Sequence, residues 1–236
     1  MDKDVAVQLV DQNLEVYNKI AKHFSDTRQF VWQELKHFAT FVKAGDVVLD
    51  LGCGNGRLYQ IFADLPISYI GIDQSEELLV LARKQFREGK FLEGNMLSIP
   101  LPDKSVDVIF CIAALQHIPG EELQREAVQE MKRVLKPGGK VILSNWNLFG
   151  EWGIKQVQSG KYTQLSPGDF LVPWRDSSGG VIGERYYHGF TLEELESLFV
   201  DGGFVVDDQY YVKKENRVEK NDGENIITIA SFLESV

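Results

Sequence analysis

The stretch Val47-Val48-Leu49-Asp50-Leu51-Gly52-Cys53-Gly54-Asn55-Gly56 decides the fold. Its first five residues are almost wholly apolar, as expected for a short strand covered on both faces. Three glycines at every second position then follow. Without a Cβ they can adopt positive φ and let the backbone approach a ligand closely. In an open α/β sheet, ligands bind outside the carboxyl ends of the strands, and the first strand–helix turn carries the glycines.

The same alternation continues downstream. Residues 57–64 read as helix, 69–73 as strand, 75–87 as helix, 91–93 and 106–111 as strands, 121–135 as helix and 140–145 as strand. Repeated alternation of this kind predicts a mostly parallel sheet wrapped by helices on both faces, the α/β class. Pro137-Gly138-Gly139 is expected to stop the helix before the fifth strand. Residues 146–185 dissolve into Gly, Ser and aromatics, too long for an ordinary connection, and are expected to form a lid or substrate loop. A helix over 191–200 should start at a capping box formed by Thr191 and Glu194. Two closing strands, 204–212 and 226–232, are joined by a charged loop. Upstream, apolar residues at helical spacing mark helices over 16–24 and 30–42. The expected organisation is a single domain: a helical cap (1–45), a cofactor-binding core (46–145), a substrate loop or lid (146–190) and a closing helix and strands (191–236).

Two cofactor classes compete for the glycine loop. A dinucleotide requires G-x-G-x-x-G, which aims helix amides at a pyrophosphate. Here the spacing is G-x-G-x-G, and Arg57 occupies the position of the third dinucleotide glycine. S-adenosylmethionine has no phosphate and carries a cationic ammonium and sulfonium, next to which Asp50 would supply a carboxylate. Asp73, ending the second strand about 20 residues on, can accept both ribose hydroxyls. Gln74 can bind ribose or adenine, Asn95 the adenine amine, and Met96 or Ile72 can pack on the ring. The expected cofactor-binding set is Asp50, Gly52, Cys53, Gly54, Asn55, Gly56, Asp73, Gln74, Asn95, Met96 and Cys111.

Composition narrows the class further. Forty-four percent apolar residues and four Trp in 236 residues suffice for a sizeable core. The N-terminus has no basic segment leading into an apolar one, and no apolar run reaches membrane-span length. A cytoplasmic protein without membrane contact is expected. Cys53 and Cys111 are not placed as a staple and are expected to be reduced thiols. His23, His37, His117 and His188 lack metal-ligand spacing, so no metal is expected. The net charge of −10 opposes general affinity for nucleic acid. Lys213, Lys214, Arg217 and Lys220 do cluster, but acidic residues interrupt them, as in a solvated loop.

Residues 46–146 resemble the common class I methyltransferases through DLGCGNG, GID, GN, the DVIFCIAALQHI segment and LKPGG. That resemblance implies a Rossmann-like, seven-stranded sheet whose last strand runs antiparallel. The flanks are more particular. Residues 16–28 (VYNKIAKHFSDTR), 113–117 (AALQH), 169–174 (DFLVPW) and 185–190 (RYYHGF) resemble the tRNA wobble-uridine carboxymethyl methyltransferases. These methylate the carboxylate of 5-carboxymethyluridine in the anticodon loop, and in eukaryotes work with a small zinc-binding activator subunit. Gln116 stands where that family often has a second His.

A carboxylate is already anionic at neutral pH and needs orientation by cations and hydroxyls more than it needs a base. Tyr17, Arg28, His117, Arg185, Tyr186, Tyr187 and His188 offer that equipment, and His117, at the exit of the fourth strand, is expected beside the methyl group. Trp174 and the tyrosines are candidates to stack on a splayed base. The tRNA anticodon loop is thus one candidate acceptor. A small-molecule acid, phenol or quinone is a second, favoured by the acidic composition. A non-catalytic cofactor-binding activator is a third.

Overall fold

Adjacent residues in the central strands point to opposite faces, and both faces here are apolar. Val48, Phe110 and Ile142 pack with Phe38 and Phe62 on one side, while Leu49, Ile109 and Val141 pack with Ala127 and Met131 on the other. This is why these strands read as continuous apolar runs. The computed structural model describes residues 1–233; residues 234–236, the tail of the expected closing portion, lie outside the described residues.

The parallel strands are β1 (Val47–Leu51), β2 (Ser68–Asp73), β3 (Lys90–Glu93), β4 (Val106–Ile112) and β5 (Leu135–Trp146). β6 (Thr163–Ser166), β7 (Asp169–Arg175) and β8 (Val181–His188) form a separate three-stranded sheet. β9 (Val205–Lys213), β10 (Asn216–Val218) and β11 (Asn225–Ser231) complete the main sheet in the order β10-β9-β11-β5-β4-β1-β2-β3. β11 runs antiparallel to both β5 and β9. The sheet therefore has eight strands where seven were expected. The eighth is the three-residue β10, which folds back on β9 from within the charged segment, where Arg217 pairs with Asp208.

The helices are α1 (Lys3–Thr27), α2 (Glu76–Gln85), α3 (Glu121–Val134), α4 (Glu151–Gln158) and α5 (Leu192–Asp201). Thr191 and Glu194 form the expected reciprocal capping box on α5. Two expected α-helices are instead 3-10 turns, Gln33–Phe41 and Arg57–Ile61. In the first, Leu35, Phe38 and Phe41 recur every third residue and all pack into one apolar cluster, a spacing that matches three residues per turn. Pro137-Gly138-Gly139 does follow the helix end, but lies inside β5, whose register with β4 shifts at that point.

Residues 146–185 are not an irregular loop. Phe170, Val172 and Trp174 alternate into the interior along β7, a period-two signal that Pro173 obscures. Pro is tolerated there because β6 pairs only with residues 169–171 of β7, so Pro173 lies beyond the end of that ladder. The small sheet packs on α1, with Gly183 against Val16 and the Gln12 side chain donating to the Glu184 carbonyl at 2.9 Å. Among the described residues no helix is long and apolar enough to cross a membrane.

Candidate active site

The glycine loop is shaped by its neighbours. Gly52 and Gly54 have φ of 78° and 55°, and a Cβ on Gly52 would overlap that of Ala114 at the exit of β4. The Gly52 and Cys53 amides donate to the Ile72 carbonyl at 2.7 and 3.0 Å, which ties the loop to the end of β2. There the Asp73 carboxylate accepts the Gly54 amide at 2.8 Å and the Ser75 amide at 2.9 Å. The Gln74 amide adds to these two, and since a carboxylate has about four lone-pair sites, acceptor capacity is left for a ligand hydroxyl. Burial raises the Asp73 pKa, and the backbone amides oppose that rise.

Asp50 is buried below the loop and accepts the Tyr69 hydroxyl at 2.5 Å. Burial pushes its carboxyl up to about 7, despite the Tyr69 hydrogen bond and the attraction of Arg57. A carboxyl so poorly compensated is suited to a cationic ligand. The cavity above it is lined by Asp50, Gly52, Cys53, Gly54, Asn55, Asp73, Gln74, Asn95 and Met96, with Ile72 and Ala114 as apolar wall. Spare acceptor capacity on Asp73, an under-compensated Asp50 and an apolar slot are a donor set that fits S-adenosylmethionine. Asn95 Oδ1 accepts its own turn's Leu97 amide at 2.9 Å.

The same cavity continues past the β4 exit to Asn13, Tyr17, Arg28, Gln116, His117, Trp146, Arg185 and Tyr187. Asn13 fixes this half. Its side chain accepts the Tyr186 amide at 2.7 Å and donates to the Tyr186 carbonyl at 3.1 Å, pairing with β8 as a strand would. His117 Nδ1 lies 3.0 Å from the same carbonyl. A carbonyl only accepts, so Nδ1 carries the proton and Nε2 accepts from the Tyr17 hydroxyl at 2.9 Å. Burial drives the His117 pKa down to about 3, and the nearby Arg185 adds to the fall.

Arg185 is 4 % exposed. Its Nη1 reaches the Tyr17 oxygen at 3.3 Å, and its Nε has no acceptor. Aromatic rings surround it, with Trp174 at 4.9 Å, Tyr187 at 5.2 Å and Tyr17 at 5.6 Å. Arg28 also lies 4.9 Å from Trp174. Burial lowers the Arg28 pKa, as does the charge of Arg185. Two guanidiniums thus share one aromatic wall of the cavity.

Four expected site residues stand elsewhere. Tyr186 points its hydroxyl at Asp169, and His188 bridges Asp169 at 3.0 Å and Glu194 at 2.7 Å, outside the cavity. β8 alternates its side chains, so Arg185 and Tyr187 face the cavity while Tyr186 and His188 turn away. Cys111 is core, pushed up by burial to about 12. Gly56 is not part of the lining; it shapes the loop, because a Cβ there would meet the Phe91 ring. Asn55 lines the cavity, but its amide donates to Ser25 Oγ and the Arg28 carbonyl, tying α1 to the loop. Trp174 is 6 % exposed and has its ring occupied by both arginines and its Nε1 by His23, so it has no free face for a base. Asn13 and Trp146 were not anticipated. A polar residue four positions before Tyr17, on the buried side with Val16 and Ile20, was the signal for Asn13.

Residues 49–143 match the family described as a methyltransferase domain. The chain is 31% identical over 216 residues to the tRNA (carboxymethyluridine(34)-5-O)-methyltransferase of Schizosaccharomyces pombe, a match covering 83% of this chain and 90% of that protein. The chain belongs to this family. It is a methyltransferase whose cofactor is S-adenosylmethionine. The mouse tRNA (carboxymethyluridine(34)-5-O)-methyltransferase ALKBH8 is 34% identical over 155 residues, 66% of this chain and 23% of that longer protein. Among solved structures, an S-adenosylmethionine-dependent methyltransferase from Methanosarcina mazei superposes with a TM-score of 0.69 at 26% identity, covering 84% of this chain and 97% of that one. The methyltransferase thus has the expected Rossmann-like fold.

Proposed function

We propose that this methyltransferase esterifies a carboxylate, that of 5-carboxymethyluridine at the wobble position of tRNA. Arg185 carries the reading. It is a buried guanidinium in the acceptor half of the cavity, with no carboxylate within ion-pairing distance among the described residues. By contrast, the half-exposed Arg133 has both Glu130 and Asp103. A buried charge without a counter-charge is costly, and an incoming carboxylate held by the guanidinium fork removes that cost.

The chemistry of the other residues agrees. S-adenosylmethionine supplies a methyl group on a positively charged sulfur. Burial and the charge of Arg185 hold the His117 pKa at about 3, so the imidazole is a weak base, and an acceptor that is already anionic suits the site. Tyr17 joins His117 to Arg185 and holds the guanidinium in place. Site roles follow: Arg185, Arg28, Tyr17 and Tyr187 orient the acceptor, His117 and Asn13 position Tyr17 and β8, and the loop residues with Asp73 hold the cofactor. The names of the two relatives support the choice of acceptor. The net charge of −10 favours a small carboxylic acid as the second reading. The proposal also includes a cytoplasmic location, which two buried free thiols suit, and the small activator subunit that the family resemblance implies.

Labelled cofactor offered with hypomodified tRNA and with a small-acid extract separates the two acceptors. Label in tRNA is expected; label confined to the extract would overturn the tRNA assignment.

A further inference from the structure

Aromatic rings run without a break from the acceptor half of the cavity to the protein surface. Tyr187, beside Arg185, lies 4.9 Å from Trp146 at a shallow 32° tilt. Trp146 meets Trp152 edge-on at 5.8 Å, and Trp152 meets Tyr162 edge-on at 5.9 Å. Burial relaxes along the series. Tyr187 is buried, Trp146 and Tyr162 are half-buried, and Trp152 on α4 is 40 % exposed. Ile154 on the same helix and Leu165 on β6 are exposed too.

An exposed Trp held edge-on by two other rings is a rigid platform rather than core. The surroundings are mixed in charge, with exposed lysines at 161 and 220, Glu219 and Asp222 in the same turn as Lys220, and Glu193 close enough to attract Lys220. Lys161, next to Tyr162, is exposed and makes no ion pair among the described residues. The 219–223 turn packs on α4, with the Glu151 amide donating to the Asn221 carbonyl at 2.8 Å, and it brings in Lys220, whose Nζ lies 5.8 Å from the Phe149 ring. The one acidic side chain in the first turn of α4, Glu151, is paired with Lys155 at 2.6 Å.

We propose that Trp152, with Trp146 and Tyr162, is a stacking surface for the single-stranded nucleotides flanking the target uridine in the anticodon loop, with Lys161 and Lys220 facing their phosphates. Three observations select this occupant. The ring series is continuous with the cavity that takes the reacting group. Stacked aromatics with adjacent cations are how splayed single strands are held. Trp174 has no free face, so the stacking role passes to the Trp146–Trp152 side. The inference rests on the tRNA reading above.

The test uses the full chain, an anticodon stem-loop carrying 5-carboxymethyluridine, and the free nucleoside. Trp152→Ala should raise the stem-loop Kd and KM roughly 5- to 100-fold, the loss of one base–aromatic stack, and Trp152→Phe should restore most of it. Cofactor Kd and turnover of the free nucleoside should stay within twofold. Tyr162→Ala should repeat the effect more weakly, and stem-loop binding should quench Trp fluorescence less in Trp152→Ala than in wild type. If wild type methylates the stem-loop and Trp152→Ala binds it equally well, the surface is refuted while the tRNA reading stands. If wild type methylates the nucleoside or a small acid but never the stem-loop, both fall.

Discussion

The Tyr17 hydroxyl donates to His117 Nε2 across 2.9 Å, joining the N-terminal helix to the exit of the fourth strand. The bond occupies the lone pair of His117, whose basicity burial already lowers, and it leaves the Tyr17 oxygen free to accept from Arg185.

This arrangement has a pH signature. His117 titrates near 6.5 in an unfolded chain but only at about 3 in the folded one. The unfolded state therefore binds more protons between those values, so this site costs stability as pH falls from about 6.5 towards 3, at about 1.4 kcal/mol per pH unit. Denaturation midpoints from pH 4 to 7 should fall less steeply for His117→Gln than for wild type. At saturating cofactor, kcat/KM for the acceptor should show no limb attributable to an imidazole between pH 5 and 8. Parallel stability curves, or a limb near 6.5 that disappears in the variant, would contradict the assignment.

Asp50 makes the opposite prediction for cofactor binding. In the cofactor-free protein its carboxyl titrates at about 7, raised chiefly by burial. A cationic ligand favours the ionised form, so binding releases a proton below that value. Affinity should rise with pH up to about 7 and then level off. Calorimetry in buffers of different ionisation enthalpy should detect the released proton in wild type and none in Asp50→Asn.

Removing the Arg185 guanidinium should affect the acceptor alone. Arg185→Ala is expected to lower kcat/KM about 100-fold or more, as for truncating one side of a buried charge pair, with cofactor Kd unchanged. Arg185→Lys should recover little, since an ammonium lacks the bidentate fork. Lost cofactor binding in either variant would move Arg185 out of the acceptor role.

The cluster on the far side of β8 should act on stability instead. Burial lowers the His188 pKa, but hydrogen bonds to Asp169 and Glu194 outweigh it and raise the value to about 9. Its contribution is fully present below about 6.5 and is lost as pH rises through 9. His188→Phe should cost about 2 kcal/mol at pH 6, the worth of charge-assisted hydrogen bonds, and far less at pH 10, with turnover retained. Equal penalties at both pH values would show that the imidazolium is not involved.

Local patterns made the cofactor half legible in the sequence. An apolar run, three alternating glycines and an acid at the next strand's end are contiguous signals, and Gly52, Gly54 and Asp73 stand together as those signals imply. The acceptor half depends on which way each β8 side chain turns, and that follows from a strand the sequence did not announce. Pro173 and the Gly-rich 176–183 stretch disguised the small sheet, so RYYH read as four candidates when two face inward. Trp174 looked like a stacking residue because nothing local tells that His23, Arg28 and Arg185 occupy it. The aromatic series from Tyr187 to Trp152 crosses three elements and is visible only in three dimensions.

The claim that the acceptor is a carboxylate has a direct chemical test. Wild-type protein, isotopically labelled cofactor and hypomodified tRNA are incubated, and the recovered RNA is treated with mild alkali. A methyl ester releases its label as methanol, so the account predicts alkali-labile label at the wobble nucleoside, absent with Arg185→Ala. Label that survives alkali as an N-methyl or ether group would contradict it.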